Sequence, residues 1–544
     1  MTTTAAVRMA PRAGPALAGV GTVLRLAVHR DRARLAVWTC AVCGLWTAMS
    51  VALQGVYPTV ADRQARAALM SSPAAVILTG PGYGTADYTH GAMVAGELAL
   101  MMFVALAIMS IQTVVRHTRT EEETGRAELV RAGTVGRHAP FVAAFVLVVA
   151  VNAVIALGTG AGLVISGLPA GGAFAVGLAG AATGVVFGAV AAVAAQVVEH
   201  GRAATGLAIA ALGLAFVLRA AGDLQRPHGG PLSWLSPLGW AQQVRAFVDL
   251  RWWPLLLSLA LTLVLLLVAG ALGHGRDLGA GLLRARPGNP RASRRLAGPF
   301  GLAWRLQRAM IAAWACGVAA FAIASGTFVD SVAEATAQMP ALARALGGAD
   351  GATEAFVALM VKFFALVVAG CCVAMASGPR ADEVDGHLEL VLATSVARSR
   401  WMFARLAVVA LAGVGLLVLS ATGLWVGATM TGSGSVGLGG HLLAGCAQVP
   451  AIAVLVGAAT CLFGWVPRLL PAMWAWYAYA FVASVYGGLL GLPAWALKVS
   501  PFEHVPGLPG GAPELGGAAL LVGVTAVLVG AGLVGLRRRD IPRQ

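Results

Sequence analysis

An all-α polytopic membrane protein is the fold class this sequence predicts, with twelve transmembrane helices arranged as two parallel six-helix repeats. Three observations carry it. Apolar residues fill 58% of 544 positions and charged residues 11%, at a mean hydropathy of +0.80, so a water-soluble surface cannot be assembled from the chain. The apolar residues gather in continuous runs of about 20, enough to cross a hydrocarbon core about 30 Å thick at about 1.5 Å per helical residue. A charged motif of the first half also returns in the second.

The first six spans are expected near 35–57, 93–115, 141–166, 173–198, 203–222 and 252–272. The second six are expected near 309–329, 355–377, 402–428, 441–465, 470–492 and 516–536. Unbroken apolarity, without the alternation of a membrane strand, selects helices over a barrel. Lys and Arg fall 29 to 8 in favour of the side carrying both termini, counting Arg219 and Arg405 with their nearer flanks and leaving Lys362 inside a span. By the positive-inside rule both termini are cytoplasmic. The organisation is then a cytoplasmic segment 1–34, a first half 35–272, a basic linker 273–308, a second half 309–536 and a basic tail 537–544. Residues 13–24 are weakly apolar and precede "RLAVHRDRAR", which reads as an uncleaved helix lying on the membrane before the first span. The net charge of +15 reflects this sidedness, so no nucleic-acid partner follows from it. All seven Cys lie in apolar spans, where buried thiols are the ordinary reading, and no metal site is expected.

Spans of the second half trail those of the first by 261–274 residues, so the chain looks duplicated. Its best-matched piece is "RTEEETGRAELVRAGTVGR" (119–137) against "RADEVDGHLELVLATSVAR" (380–398), with Gly125 on Gly386 and nine identities in 19 positions. An even number of spans per half makes the halves parallel repeats about an axis along the membrane normal. Residues 119–138 read as a short cytoplasmic helix. Thr120 and Glu123 fit a capping box, Glu122 and Arg126 stand at i and i+4, and Leu129, Val130 and Val135 form an apolar side. A loop helix resting on headgroups would share these features. Repetition at the same point of both halves favours a docking element, gripped by something cytoplasmic that comes in two copies.

With "EEETGRAELVRAGTVGRH", "RADEVDGHLELVLATSVARSRW", "EHGRAATGLA", "WLSPLGWAQQVRAF", "SPFEHVP" and "GLVGLRRRDI", the chain resembles the permease subunits of ABC-2 type exporters. Among them it is most similar to the actinobacterial exporters of polyketide antibiotics, the tetronasin type. The resemblance spans nearly the whole chain and implies that 120–137 and 381–398 are coupling helices, each received by a separate ATPase subunit. The residues it marks for docking are Glu121, Glu122, Glu123, Arg126, Glu128, Leu129 and Arg131 in the first half. In the second half they are Asp382, Glu383, Asp385, His387, Glu389 and Leu390. Arg126 becomes His387, Arg131 becomes Leu392 and Glu123 becomes Val384, so the two sites are expected to differ in strength.

Neither Lys362 nor Lys498 follows a GxxxxG loop, so no phosphate cradle is present. No catalytic residue and no cofactor are expected in this chain; ATP and Mg would be bound by two copies of the partner. Glu97 and Lys362 lie inside corresponding spans, where a charge costs about 2.5–3.5 kcal/mol on insertion scales, and they are expected to face each other across the pseudo-twofold axis. Arg219 and Asp223 are expected to pair locally. Met101, Met102, Phe103, Phe363, Phe364, Trp474, Trp476 and Tyr477 could line a path for bulky apolar cargo, although such residues more often serve packing or the interfacial belt.

The function expected is export of hydrophobic or amphipathic molecules, antibiotic or drug-like, driven by ATP hydrolysis in the partner. A proton- or ion-coupled secondary transporter is the alternative, and it would want several membrane-depth acids where the sequence has Glu97. A membrane-embedded enzyme would need convergent polar groups, but the Glu-His pairs at 199–200 and 503–504 fall on opposite sides of the membrane in this topology.

Overall fold

The computed structural model describes residues 16–71, 73–133, 135–226, 228–277, 279–283, 293, 298–329, 348–432, 436–487, 490–509 and 515–540. The side chains of residues 69, 73, 74, 131, 348–350, 352 and 515 are outside that description. So are residues 1–15, residues 284–292 and 294–297 of the basic linker, and the last four residues. Among the described residues the chain is helical throughout, with a single isolated bridge between Val198 and Leu283. It divides into two compact units whose boundary, Pro287/Gly288, falls inside the Arg-rich stretch.

The first unit comprises α1 (Val20–Val56), α2 (Val60–Met70), α3 (Pro73–Thr79), α4 (His90–Met93), a π-helical turn (Val94–Leu98) and α5 (Ala99–His117). It continues with α6 (Arg119–Glu123), α7 (Arg126–Arg131), α8 (Ala139–Ile165), α9 (Ala170–Val197), α10 (Gly201–Gln225), α11 (Pro237–Gln242) and α12 (Pro254–His274). The second unit holds α13 (Pro299–Gly326), α14 (Gly348–Val384), α15 (His387–Leu392), α16 (Arg398–Thr431), α17 (Leu438–Ala447), α18 (Val449–Trp465), α19 (Ala472–Tyr486), α20 (Ala494–Leu497) and α21 (Leu515–Arg538).

Eleven of these helices or helix stacks are long and apolar enough to cross a bilayer: six in the first unit and five in the second. The remaining expected span, 470–492, contains the 15-residue α19, about 22 Å at helical rise and short of a full crossing. The expected entry helix, 13–24, begins outside the described residues; from Val20 onward α1 runs unbroken for 37 residues into the first span, with no Pro between Val20 and Val56 to stop it.

In the first unit α9 is the central helix, packed on α5, α8 and α12. Its small residues permit this close approach, and a Cβ on Gly177 would come within 2.5 Å of the Ala156 carbonyl of α8. Buried amides and hydroxyls bind the helices to one another, as where Asn152 Nδ2 donates to Ser110 Oγ and to the Val148 carbonyl, both at 2.9 Å. In the second unit α18 and α21 meet at Gly464 and Gly532.

Candidate functional site

The two repeated segments fold alike, but not as single helices. In the first, α6 stops at Glu123 and α7 begins at Arg126; between them Gly125 adopts φ +73°. In the second, α14 stops at Val384, Gly386 adopts φ +73° and α15 follows. The left-handed backbone that Gly alone adopts freely thus breaks both segments at the aligned glycine. This corrects two expectations. With a break at 124–125, Glu122 and Arg126 no longer stand one turn apart on a helix. The Thr120–Glu123 capping box is also absent, since Thr118 is the N-cap and makes no side-chain cap. Glu123 instead accepts the Gly201 N–H at 3.0 Å, capping the first turn of α10.

Each segment is bolted to the last span of its own half. Glu122 accepts from Arg276, just past α12, at 2.7 Å, and Glu383 accepts from Arg539, just past α21, at 2.8 and 2.9 Å. Arg137 donates to the Gly273 and His274 carbonyls that end α12, at 2.9 and 3.0 Å. Its counterpart Arg398 donates to the Leu536 and Arg539 carbonyls that end α21, at 3.1 and 2.7 Å. A guanidinium suits the orphan carbonyls and negative dipole of a helix C-terminus. Arg119, almost wholly buried, adds bonds to the Glu199, Gly279 and Ala280 carbonyls at 2.8–3.0 Å and to Glu122 at 2.7 Å. Its counterpart Arg380 differs: Nη1 is buried without a partner among the described residues.

The remaining marked residues sort by exposure. Glu121 pairs with Arg30, and Asp382 with Arg405. Arg126, Glu128, Leu129, Asp385, His387, Glu389 and Leu390 face outward; Leu129 is 77% exposed and Leu390 72%. The side chain of Arg131 lies outside the described residues. After each αL glycine, then, the unit presents an acid and a leucine side by side.

Each intramembrane charge has a partner within its own unit. Glu97, on the π-helical turn, takes a bidentate contact from Arg66 of α2 (2.8 Å) and a bond from Tyr88 Oη (3.0 Å). Burial, and then the Glu97 carboxylate beside it, push the Tyr88 phenol up, so it stays protonated and donates. Lys362 reaches Glu503 at 2.7 Å. Sequence reading missed Arg66 and Glu503 because both sit in connections remote from the spans they serve; amphipathic 60–70 and the motif "SPFEH" were their available signals. Arg219 and Asp223 pair at 3.1 Å, as expected.

The candidate path residues take their places within each unit. Met102 and Phe103 are buried and Met101 is half exposed. Phe103 lines a narrow pocket with Tyr83, Gln242 and Arg245. In the second unit Phe363 packs edge-on against Phe364 and Phe481, and Tyr477 against Trp474 and Phe481, an aromatic ladder with centroids 5.7–6.4 Å apart. Trp476 Nε1 bonds the Val499 carbonyl.

A multi-pass, all-helical membrane protein with paired charged segments at equivalent points of two halves is the class defined by these features. Residues 20–274 and 296–537 match the family described as multidrug efflux system permease Rv1217c, C-terminal domain, and the chain belongs to that family. It is similar to the multidrug efflux system permease protein Rv1217c of Mycobacterium tuberculosis (strain ATCC 25618 / H37Rv), at 38% identity over 548 residues, covering 98% of this chain and 97% of that one. The interruption in the family match, 275–295, coincides with the Pro/Gly/Arg linker.

Proposed function

We propose that this chain is the membrane-spanning permease of an ATP-driven exporter of hydrophobic or amphipathic drug-like molecules, polyketide antibiotics included. The observation that carries the reading is the pairing of Glu128/Leu129 with Glu389/Leu390: exposed, next to an αL glycine, and on segments tied to the last span of each half. Two copies of an ATPase subunit, holding ATP and Mg, would each receive one such coupling segment on the cytoplasmic side, where both termini lie. Residues 470–492 would complete a twelfth span, giving two parallel six-helix repeats. Closure of the ATPases draws the segments together, and the ties at Arg137 and Arg398 pass that displacement to the final spans, shifting the population toward outward-open. Glu97, the acid a proton relay needs, is instead engaged by Arg66, which weakens the proton-coupled alternative.

The test is copurification of the chain with a Walker A-bearing ATPase subunit, expected in the neighbouring reading frame, together with drug-stimulated ATP hydrolysis. Leu129→Asp with Leu390→Asp, both on exposed positions, should abolish the complex and leave the permease folded. Drug export by the purified chain without any ATPase, on a proton gradient, would refute the reading.

A further inference from the structure

The two halves are built alike where the first helix meets the coupling segment, yet they differ in chemistry there. In the first half Val23, Leu26, Ala27 and Arg30 of α1 line a cleft of about 1070 Å³, open mouth included. In the second half Pro299, Leu302, Ala303 and Leu306 of α13, each 276 positions further on, line the corresponding groove, about 700 Å³ on the same measure, so the two differ in what lines them more than in room. Three exchanges separate them. Arg30 is replaced by Leu306, and in the Arg137/Arg398 register Pro140 and Ala144 are replaced by Trp401 and Arg405. Trp401 is buried, and Arg405 lies over its ring at 5.2 Å while pairing with Asp382. The polar end of the second groove is therefore filled by the protein itself.

In the first half that end is open and basic. Arg30, Arg137 and Arg276 face it against Glu121 and Glu122, one positive charge in excess before either His117 or His138 is counted. Arg30 spends its guanidinium on Glu121 alone among the described residues, leaving donors for another acceptor. Below, Phe141, Ala144 and Gly270 give an apolar floor with room between side chains. The cleft lies between α1 and α12, whose apolar windows are only 22% and 17% buried, so bilayer adjoins its walls. Apolar below, cationic above and set at the charged ends of lipid-facing helices, it has the profile of one lipid molecule.

We propose that this first-half cleft binds an acidic phospholipid of the adjoining leaflet, its phosphate at Arg30 and an acyl chain along Phe141 and Ala144, and that the second half has no such site. The proposal is independent of what drives transport.

Native mass spectrometry of the full chain, purified from mixed micelles of phosphatidylglycerol and phosphatidylcholine, tests it. Wild type should retain one phosphatidylglycerol, about tenfold over phosphatidylcholine, a ratio one charge-assisted contact can supply. Arg30→Leu and Pro140→Trp, each importing the second half's residue, should lose that preference, whereas Arg30→Lys keeps the charge and should keep most of it. A photoactivatable phosphatidylglycerol should cross-link within 23–30 and 138–144, a readout that needs no variant to fold. Equal retention of both lipids, an unchanged preference in Arg30→Leu and Pro140→Trp, or cross-links confined to the second half would each overturn the proposal. Displacement by soluble glycerol phosphate as readily as by lipid would overturn the lipid assignment too.

Discussion

Glu122 and Arg276 meet at 2.7 Å although 154 positions separate them. Glu383 and Arg539 repeat the contact in the other half across 156. Both pairs join the repeated charged segment to the chain leaving the last span. Glu122→Ala should leave Arg119 and Arg276 short of a charged partner and cost about 1–3 kcal/mol. Glu122→Gln, which keeps a hydrogen bond, should cost less. Thermal unfolding of the purified permease measures both. Under the coupling reading Glu383→Gln should also lower drug export while ATPase copurification persists, because the side chain ties the segment inward and does not face the partner. Export at the wild-type level would remove the tie from the power stroke.

A second expectation concerns Arg137 and Arg398. Each holds two carbonyls at a helix end, so replacement by Ala should cost about 1–3 kcal/mol in either half. Both bonds leave one terminal guanidinium nitrogen, so Lys, whose ammonium carries three donors on a shorter stem, should restore part of this. If Lys restores full stability in both halves, charge alone matters and the carbonyl geometry is incidental.

Gly125 and Gly386 give the cleanest test of the repeat. A Cβ at either would meet nothing within 4 Å, yet both have φ +73°. Ala should therefore cost about 1 kcal/mol from backbone conformation alone, and Asn less. Melting temperatures of the four variants check this, and unequal losses at the two positions would show that the segments are not conformational equivalents.

These glycines also show what the sequence could and could not disclose. Their alignment was legible because an αL position filters residue type strongly, and the spans were legible because a bilayer demands long apolar runs. The break they impose was read through, however: Thr120, Glu123 and Arg126 have helical spacing, and spacing cannot register a turn that stops the helix between them. The partners of Glu122, Arg137 and Lys362 stood more than 130 residues away, beyond any local pattern. Glu97 and Lys362 were paired in expectation because both carried a membrane-depth cost. The actual compensation came from Arg66 and Glu503, residues of connecting segments that hydropathy treats as solvent-side.

The crossing of α18 and α21 predicts a steric contrast between two glycines, one on each helix. A Cβ on Gly464 would stand 2.2 Å from the Gly532 carbonyl oxygen, whereas one on Gly530 would meet nothing within 4 Å. Gly464→Ala should push the helices apart at a cost of about 1–3 kcal/mol, with Gly530→Ala near neutral. Detergent melting curves distinguish them, and equal stability of the two variants would mean the helices do not approach this closely.

Lys362 and Glu503 should behave as a coupled pair. Their side chains are about a quarter exposed and 2.7 Å apart, so each single replacement, Lys362→Met or Glu503→Gln, strands one charge at the membrane. The stranded charge costs up to about 2.5–3.5 kcal/mol, lessened by whatever water reaches it. The double variant strands none. Its loss should therefore be smaller than the sum of the single losses by about 1 kcal/mol or more, as double-mutant cycles show for residues in contact. Combining Lys362→Met with Glu97→Gln should instead give additive losses, since Glu97 belongs to Arg66 and Tyr88. Coupling between Glu97 and Lys362 stronger than that between Lys362 and Glu503 would reverse the assignment of partners.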